Sequence, residues 1–248
     1  MNNTQVFKFN NVIFPAGPAY RPLSDFQVKN PFSDLPYIEG LVGAYFPTSQ
    51  NSNPLNNHAN LSVPLLRIGS PAINDSYAQC SDGNYFDTQL MMTEDATMIA
   101  LTANPSASQG DWIISNYSGS NSEGSDSLVA TENNGAQVYS LLNGEVISNT
   151  IATASGLVSV AGRFNASSAE ISYYDPTTGT VQKGVADGSR SFKSTKSLLI
   201  GQRQGMTGNG TAKVSVVLIY NQRLTDENLL SVMTYLRKIF IPQHNITV

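Results

Sequence analysis

Acidic side chains are the first candidates for chemistry in this chain, which carries 18 of them among its 248 residues. Hydrolysis of a glycosidic bond needs two carboxyl groups that flank the bond. Two carboxylates on one face of a strand are separated by a single residue, and no acidic pair here has that spacing. Glu170 and Asp175 have odd spacing, so a straight strand would point them to opposite faces. We therefore predict no catalytic residues and no enzyme.

The histidines and the cysteine of this chain offer no metal site and no catalytic nucleophile that the sequence can identify. His58 and His244 are the only histidines, and neither has a carboxylate or cysteine nearby at metal-ligand spacing. We expect both to be exposed. Cys80 is the only cysteine, so it forms no disulfide within the chain, and we predict that it is a buried small apolar residue.

A calcium site is harder to dismiss than a zinc site, because calcium favours oxygen ligands such as carboxylates. The candidate ligands are Asp82, Asp87 and Asp111. Aspartates at strand ends more often shape turns, and no dense Asp/Asn motif surrounds these three. The sequence therefore predicts no cofactor and leaves calcium as an open alternative.

Aromatic side chains are the candidates for sugar binding, because their faces can stack on sugar rings. The candidates are Trp112, Tyr117, Tyr139, Tyr173 and Tyr174. Trp112 lies in an apolar strand, so we expect it in the core. Tyr117 lies at the mouth of a Ser/Gly/Asn-rich loop, residues 116–126, and is the best single candidate. Tyr173 and Tyr174 are adjacent on a strand and point to opposite faces, and we take Tyr174 as the second candidate.

Composition limits the partners. The net charge is −4, and charged residues make up 13% of the chain, about half the roughly 25% of ordinary globular proteins. Lys and Arg are sparse and scattered, which argues against nucleic-acid binding. No apolar run is long enough to span a bilayer, and the N-terminus lacks the pattern of a signal peptide. We therefore expect no nucleic-acid partner and no membrane insertion.

Short apolar runs separated by turn residues predict an all-β domain. The expected strands include residues 41–46, 96–101, 112–115, 128–132, 137–142, 156–164, 170–174 and 211–220. Asn133-Asn134-Gly135 and Asn143-Gly144 predict tight turns. In 211–220, Val214, Val216 and Leu218 alternate with Val217 and Ile219, so both faces are apolar and the strand is expected to be buried on both sides.

One segment near the C-terminus is predicted to be helical. Thr225 is a good N-cap, and Asp226 and Glu227 follow it at the positive end of the helix dipole. Apolar residues recur at helical spacing up to Phe240, and Pro242 is expected to stop the helix.

Residues 1–38 differ from the rest and predict an extended arm. Recurrent prolines exclude a long helix, while the aromatic content is too high for a disordered tail. The surface that receives the arm is either its own domain or a neighbouring subunit. The residues expected to mediate assembly are Phe7, Phe9, Phe14, Tyr20, Phe26 and Phe32. The remaining residues, 39–248, are predicted to form one domain.

The order of these pieces resembles the concanavalin A-like lectin/glucanase superfamily, and within it the laminin G-like branch. The resemblance covers residues 39–241. It is carried by GLVGAYF (40–46), DGNYFD (82–87), ATMIAL (96–101), LVSVAGRF (157–164) with EISYY (170–174), and LIG (199–201) with LIYNQRLTDE (218–227). It implies an all-β jelly-roll sandwich of two antiparallel sheets with one short C-terminal helix on the outside.

This superfamily serves several functions, so the resemblance leaves two hypotheses. The first is a non-enzymatic structural or decoration protein of a phage-like virion, in its capsid or tail. Such a protein is made in the host cytoplasm, and its arm contacts other virion subunits or further copies of this chain. The alternative is a lectin-like module that binds surface glycans or a host receptor.

Overall fold

The computed structural model describes residues 30–103, 111–118, 126–131, 134–192, 194–205 and 210–247. Among these, strands form two antiparallel sheets, here called sheets A and B. Sheet A contains β1 (Leu41–Tyr45), β3 (Ala72–Ile73), β4 (Ala78–Gln79), β6 (Ala96–Ala103), β11 (Leu157–Asn165), β12 (Ser168–Asp175), β13 (Thr180–Asp187) and β15 (Lys213–Tyr220). Sheet B contains β2 (Leu66–Ile68), β5 (Tyr85–Met91), β7 (Asp111–Ser115), β8 (Ser127–Thr131), β9 (Gly135–Leu142), β10 (Glu145–Ala152) and β14 (Ser197–Ile200).

The spatial order of the strands interleaves distant parts of the sequence. Sheet A runs β13-β12-β11-β6-β15-β4-β3, with β1 also paired to β15, and sheet B runs β10-β9-β8-β7-β14-β5-β2. Near the C-terminus follow α1 (Asp226–Tyr235), a π-helical turn (Leu236–Phe240) and α2 (Ile241–Gln243). The predicted all-β sandwich of two antiparallel sheets with one short C-terminal helical segment is confirmed.

Two apolar clusters define three layers. The first cluster fills the space between the sheets and contains Phe86, Ile114, Val160 and Val217. The second lies on the opposite face of sheet A and joins Ile99, Leu218 and Tyr220 to Leu229, Met233 and Phe240 of the helical segment. Sheet A is therefore buried on both faces, and sheet B has one face that the helical segment does not cover.

A β-bulge in β15 changes which sheet face its side chains point to. The pairing with β6 shifts between Val214 and Val216, and the Ser215 hydroxyl donates to the carbonyl of Ser76 at 2.6 Å. Because the bulge inserts one residue, Val214 lies in the intersheet cluster with Val217, whereas Val216 lies under the helical segment. Burial on both faces is confirmed, but the simple alternation predicted for this strand is wrong.

The helical segment begins where the sequence predicts. The Thr225 hydroxyl accepts a hydrogen bond from the backbone N–H of Asn228 at 3.2 Å. The expected stop at Pro242 is wrong, since the chain turns once more from Ile241 to Gln243 with Pro242 at its start. Proline is tolerated there because the first N–H groups of a helical turn need no partner within the helix. Within the described residues, no helix combines the length and apolarity needed to cross a membrane.

Two edge strands, β10 and β13, escaped prediction because their residues are exposed or half-buried and show no apolar run. They close one side of the sandwich, where Asn149 of β10 lies against the backbone of Gly184 in β13. The predicted turn between β9 and β10 is present, with positive φ at Asn143 (52°) and Gly144 (84°). This backbone geometry suits a two-residue hairpin.

Part of the predicted arm packs on the sandwich itself. Phe32 is buried and stacks on Phe240 with ring centroids 5.1 Å apart, and Leu35 joins the same cluster. The compact unit accordingly begins at Pro31, earlier than the boundary expected at residue 39. Phe32 is therefore a core residue of this unit, and the expectation that it mediates assembly is corrected. The other candidates lie outside the described residues: Phe7, Phe9, Phe14, Tyr20 and Phe26.

Replacement of Phe240 tests how strongly the helical layer holds the fold. Phe240 is fully buried and contacts both Phe32 and Phe46, with the Phe46 ring centroid at 5.0 Å. We expect Phe240→Ala to lower the free energy of unfolding by about 3–5 kcal/mol, measured by urea denaturation. The control is Ile239→Ala, a neighbour that is 51% exposed, for which we expect a change below about 0.5 kcal/mol. Equal effects of the two variants would contradict this packing.

Candidate functional site

Three aromatic rings meet on the outer face of sheet B. Leu128 and Val138 point into the intersheet cluster, so Val129 and Tyr139, their neighbours along β8 and β9, point outward. Trp112 of β7 pairs with Val129 and shares this outward face. Tyr117 follows at the end of β7. We call Trp112, Tyr117 and Tyr139 the aromatic platform.

The rings of the platform are nearly parallel. Trp112 and Tyr117 have ring centroids 5.7 Å apart and planes inclined by 5°. Tyr139 lies 5.4 Å from Trp112 and 6.5 Å from Tyr117, with inclinations of 25° and 20°. Trp112 is only 7% exposed, whereas the two tyrosines are half-buried. The platform therefore has a buried indole and two accessible tyrosine rings.

The backbone holds Tyr117 from both sides. Its N–H donates to the hydroxyl of Ser115 at 3.0 Å, and that hydroxyl is hydrogen-bonded to the hydroxyl of Ser127 at 2.7 Å. Its carbonyl accepts from the N–H of Gln204 at 2.8 Å. Because β7, β8 and the segment after β14 all contribute, Tyr117 is positioned before any ligand arrives.

Polar groups border the platform. The guanidinium carbon of Arg203 lies 5.0 Å from the centroid of the Trp112 ring. Partial burial, and then the neighbouring Tyr117, raise the pKa of Tyr139, while Arg203 acts in the opposite direction. The Tyr139 hydroxyl is therefore neutral at physiological pH and can both donate and accept a hydrogen bond. Apolar ring faces beside such groups suit a ligand with an apolar face and hydroxyl groups.

Of the two tyrosines expected to bind glycans, only Tyr117 is partly exposed. Tyr117 lies in the platform, but Tyr174 is 1% exposed and packs in the cluster beneath the helical segment. Tyr173 and Tyr174 do point to opposite faces, as expected, yet both faces of sheet A are covered. Tyr174 has no free ring face for a sugar, so this prediction is wrong.

Sequence reasoning also placed Trp112 in the core. Trp112 is buried, but its ring belongs to the outward platform and not to either apolar cluster. The pairing shift between Trp112 and Ile114 marks a bulge in β7, where Ile113 and Ile114 both reach the intersheet cluster. Only the long-range pairing with β8 and β9 brings Trp112 beside Tyr139, and no local pattern reports that pairing.

The structure does not gather the calcium candidates. Asp82 lies in a turn, Asp87 lies in β5 and caps the N–H of Gln89 at 2.8 Å, and Asp111 begins β7. Among the described residues, no group of three or more His, Cys, Asp or Glu side chains could hold a metal ion. Calcium binding through these residues has no geometric support here.

Neither histidine is an exposed surface residue, contrary to expectation. His58 is half-buried with its ring edge toward Phe32, and burial lowers its pKa to about 4. His244 packs 4.4 Å from the Phe240 ring. Cys80 is fully buried, as predicted, and burial raises its pKa to about 12. Its side chain fills the space where a Cβ at Gly201 would lie, 2.0 Å from the Cβ of Cys80.

Glu170 belongs to a structural ion-pair network on the helix side of sheet A. Its carboxylate is buried and accepts from Arg163, from Arg223 at 2.7 Å and from Ser172 at 2.8 Å. Arg163 also pairs with Asp226 at the start of α1, at 2.5 Å. The Arg163–Asp226 contact attaches the helical segment to sheet A, and the Glu170 carboxylate is buried among its partners.

A cavity of about 150 Å³ opens between the sheets at the end formed by β1, β5 and β15. Val42, Leu90, Met92 and Ile219 contribute to its apolar lining. No Asp, Glu, His, Cys, Lys or Arg lines it, so its lining carries no charged side chain. The aromatic platform remains the better candidate for a functional site.

The sequence matches no family model and no curated protein. Solved structures share its fold. The receptor-binding domain of botulinum neurotoxin C/D mosaic serotype matches with a TM-score of 0.56 and 11% identity, over 79% of this chain and 51% of that chain. A mutant Trypanosoma rangeli sialidase displaying trans-sialidase activity matches with a TM-score of 0.58 and 13% identity, over 86% of this chain and 34% of that chain. Trypanosoma rangeli sialidase in complex with sialic acid matches with a TM-score of 0.56 and 10% identity, over 83% of this chain and 34% of that chain.

These likenesses establish a lectin-like β-sandwich fold. The chain spans between about a third and about half of the length of these structures. At such low sequence identity the likeness extends to the backbone fold, and ligand and activity have to be argued from the side chains of this chain.

Asp111, next to Trp112 in the chain, makes the free energy of unfolding depend on pH in a testable way. It is 2% exposed, and burial raises its pKa to about 7 against the opposing hydrogen bond from Thr211 and the charge of Lys213. Between about pH 4 and pH 7 the folded state therefore holds a proton that the unfolded state has released. The contribution of Asp111 to the free energy of unfolding falls as pH rises through this window and levels off above it.

The Asp111→Asn variant lacks this ionisation. The free energy of unfolding of the variant minus that of the native sequence should therefore increase with pH. We expect this difference to grow by at most about 1.4 kcal/mol per pH unit up to about pH 7, measured by urea denaturation from pH 4.5 to 8. Asp187→Asn, an exposed carboxylate at the end of β13, serves as control and should give a flat difference. A flat difference for Asp111→Asn would contradict the burial argument.

Proposed function

We propose that this chain is a non-enzymatic lectin-like binding module and that the aromatic platform is its sugar-binding site. The observation that carries the proposal is the parallel arrangement of Trp112, Tyr117 and Tyr139 on the sheet face away from the helical layer. These rings are not needed to fill either apolar cluster. They form an aromatic surface that remains open at two tyrosines.

Sugar recognition fits both the shape and the chemistry of the platform. The face of a pyranose that carries axial C–H groups is apolar and flat enough to lie on an aromatic ring. Tyrosine adds a hydroxyl that can hydrogen-bond to the equatorial hydroxyls of the same sugar. The side chains of Tyr117 and Tyr139 also have few rotatable bonds, so little conformational entropy is lost when a ligand orders them.

The comparisons support a binding role at the level of fold. One matching structure is named as a receptor-binding domain and another holds sialic acid. Binding without turnover agrees with the placement of Glu170, whose carboxylate is buried in the ion-pair network under α1.

Substitution of Tyr117 tests the proposal on a glycan array. We expect the intact chain to bind a defined subset of glycans, and Tyr117→Ala to lower the affinity for them about tenfold, which corresponds to ~1.4 kcal/mol. Tyr117→Phe keeps the ring and should retain most of the affinity. Affinities for the glycans found on the array are measured by surface plasmon resonance.

The matched control is Tyr85→Ala, another half-buried tyrosine, which lies in β5 of the same sheet. We expect it to leave glycan binding unchanged. An array that is blank for the intact chain would refute the sugar-binding proposal. Equal losses for Tyr85→Ala and Tyr117→Ala would instead move the binding site away from the platform.

The role as a phage-like virion component, localised to the virion, stays a prediction, since the comparisons give it no support. Its test is the native mass of the full chain beside that of a chain that begins at Pro31. That starting point keeps Phe32 in place on Phe240. We expect an arm that mediates assembly to make the full chain oligomeric and the shortened chain monomeric. The same number of chains per particle in both cases would exclude an assembly role for residues 1–30.

A further inference from the structure

A second ion pair of this chain lies inside the sandwich. Asp126 and Arg190 have side chains that are 0% exposed and meet in a bidentate pair, with Nη2 2.8 Å from Oδ2 and Nε 3.1 Å from Oδ1. The guanidinium of Arg190 also lies about 5 Å from the ring centroids of Phe164 (5.3 Å) and Phe192 (5.2 Å). The pair is fully removed from water.

Asp126 connects directly to the neighbours of both accessible platform residues. Its N–H donates to the side-chain oxygen of Asn116 at 3.0 Å, and its carbonyl accepts from the N–H of Asn116 at 3.2 Å. Its carboxylate accepts from the hydroxyl of Ser140 at 2.7 Å. Asn116 precedes Tyr117 and Ser140 follows Tyr139, so one residue fixes the chain beside both rings.

Arg190 attaches this arrangement to sheet A. Its guanidinium donates to the carbonyls of Glu94 and Asn165, and its backbone N–H donates to the carbonyl of Ala166 at 2.8 Å. The next residue, Ser191, donates to the carbonyl of Leu141 in β9 at 2.9 Å. The segment around Arg190 therefore crosses from one sheet to the other at the end of the sandwich where Asp126 lies.

We propose that the buried Asp126–Arg190 ion pair is a positioning device that holds Tyr117 and Tyr139 in their stacked arrangement on Trp112. Arg190 fixes the Asp126 carboxylate, which accepts from Ser140, and thereby fixes the Asp126 main chain, whose N–H and carbonyl bond to Asn116. As a positioning device for ligand binding, the pair rests on the proposed sugar-binding function. As a determinant of the ring arrangement, it can be tested without any ligand.

The energetics of buried ion pairs favour this role over a purely stabilising one. Removing two charges from water costs much of what their attraction gains, so apolar replacements of such pairs are often neutral or stabilising. The directional hydrogen bonds of a carboxylate and a guanidinium, in contrast, have no apolar substitute. What the pair contributes here is the orientation of the groups that it contacts.

Trp112 makes the test specific, because it is the only tryptophan in the chain. Its fluorescence therefore reports on the platform alone. The variant is Asp126→Leu combined with Arg190→Met, which removes both charges and leaves neither partner unpaired. We expect the variant to remain folded by urea denaturation, with a red-shifted Trp112 emission and an acrylamide quenching constant raised about twofold, because loosened tyrosines uncover the indole.

The matched control is Arg163→Met combined with Glu170→Leu. This pair is also buried, with side chains 3% and 2% exposed, but it lies on the helix side of sheet A. We expect its removal to change stability while leaving the emission and quenching of Trp112 as in the native chain. On the glycan array, the Asp126/Arg190 variant should lose about tenfold in affinity and the control variant should not.

The outcomes separate the two proposals. A folded Asp126/Arg190 variant with unchanged Trp112 quenching would overturn the positioning role, whatever the array shows. Raised quenching beside a blank array for the native chain would uphold the positioning role and refute sugar binding.

A variant that fails to fold is replaced by Arg190→Lys, which keeps the charge but loses the bidentate geometry. We then expect an intermediate rise in quenching. If Arg190→Lys also fails to fold, the pair is required for folding itself, and the positioning role is overturned.

Discussion

Burial of sheet A on both faces is the constraint on which the rest of the molecule depends. Nearly every residue of β6, β11 and β15 is buried, because sheet B covers one face and the helical segment covers the other. A strand in this position must be apolar on both sides, which accounts for the continuous run from Val214 to Tyr220. The helical segment does not cover the outer face of sheet B, where the aromatic platform lies.

The sequence predicted the elements that this constraint shapes most strongly. Three predicted features depend only on residues that are neighbours in the sequence, and each is present in the structure. They are the apolar run of β15, the cap at Thr225 and the turn at Asn143-Gly144. The strands β10 and β13 were missed because an edge strand that faces solvent has no apolar signature. Their pairing is set by neighbours that are distant in the sequence.

The wrong expectation for Tyr174 and the unexpected ring partners of Trp112 share one physical cause. Alternation along a strand tells which residues share a face, but not which layer covers that face. Tyr174 is outward on its sheet yet lies beneath the helical segment, whereas Trp112 looked like a core residue and lies in the outward platform. Tyr117 could be chosen from its place beside a polar loop. Its stacking partners could not, since they depend on the pairing of β7, β8 and β9.

The two buried ion pairs contact different parts of the scaffold. Arg163 and Glu170 attach the start of α1 to sheet A, so that pair serves the covered face. Asp126 and Arg190 connect to Asn116 and Ser140, the chain neighbours of Tyr117 and Tyr139. Tyr117 and Tyr139 are only partly buried and cluster with Trp112, and clustered apolar surface of this kind often marks an interaction site. In the binding role that we propose, rings held in a fixed arrangement would spare a ligand the entropy of ordering them.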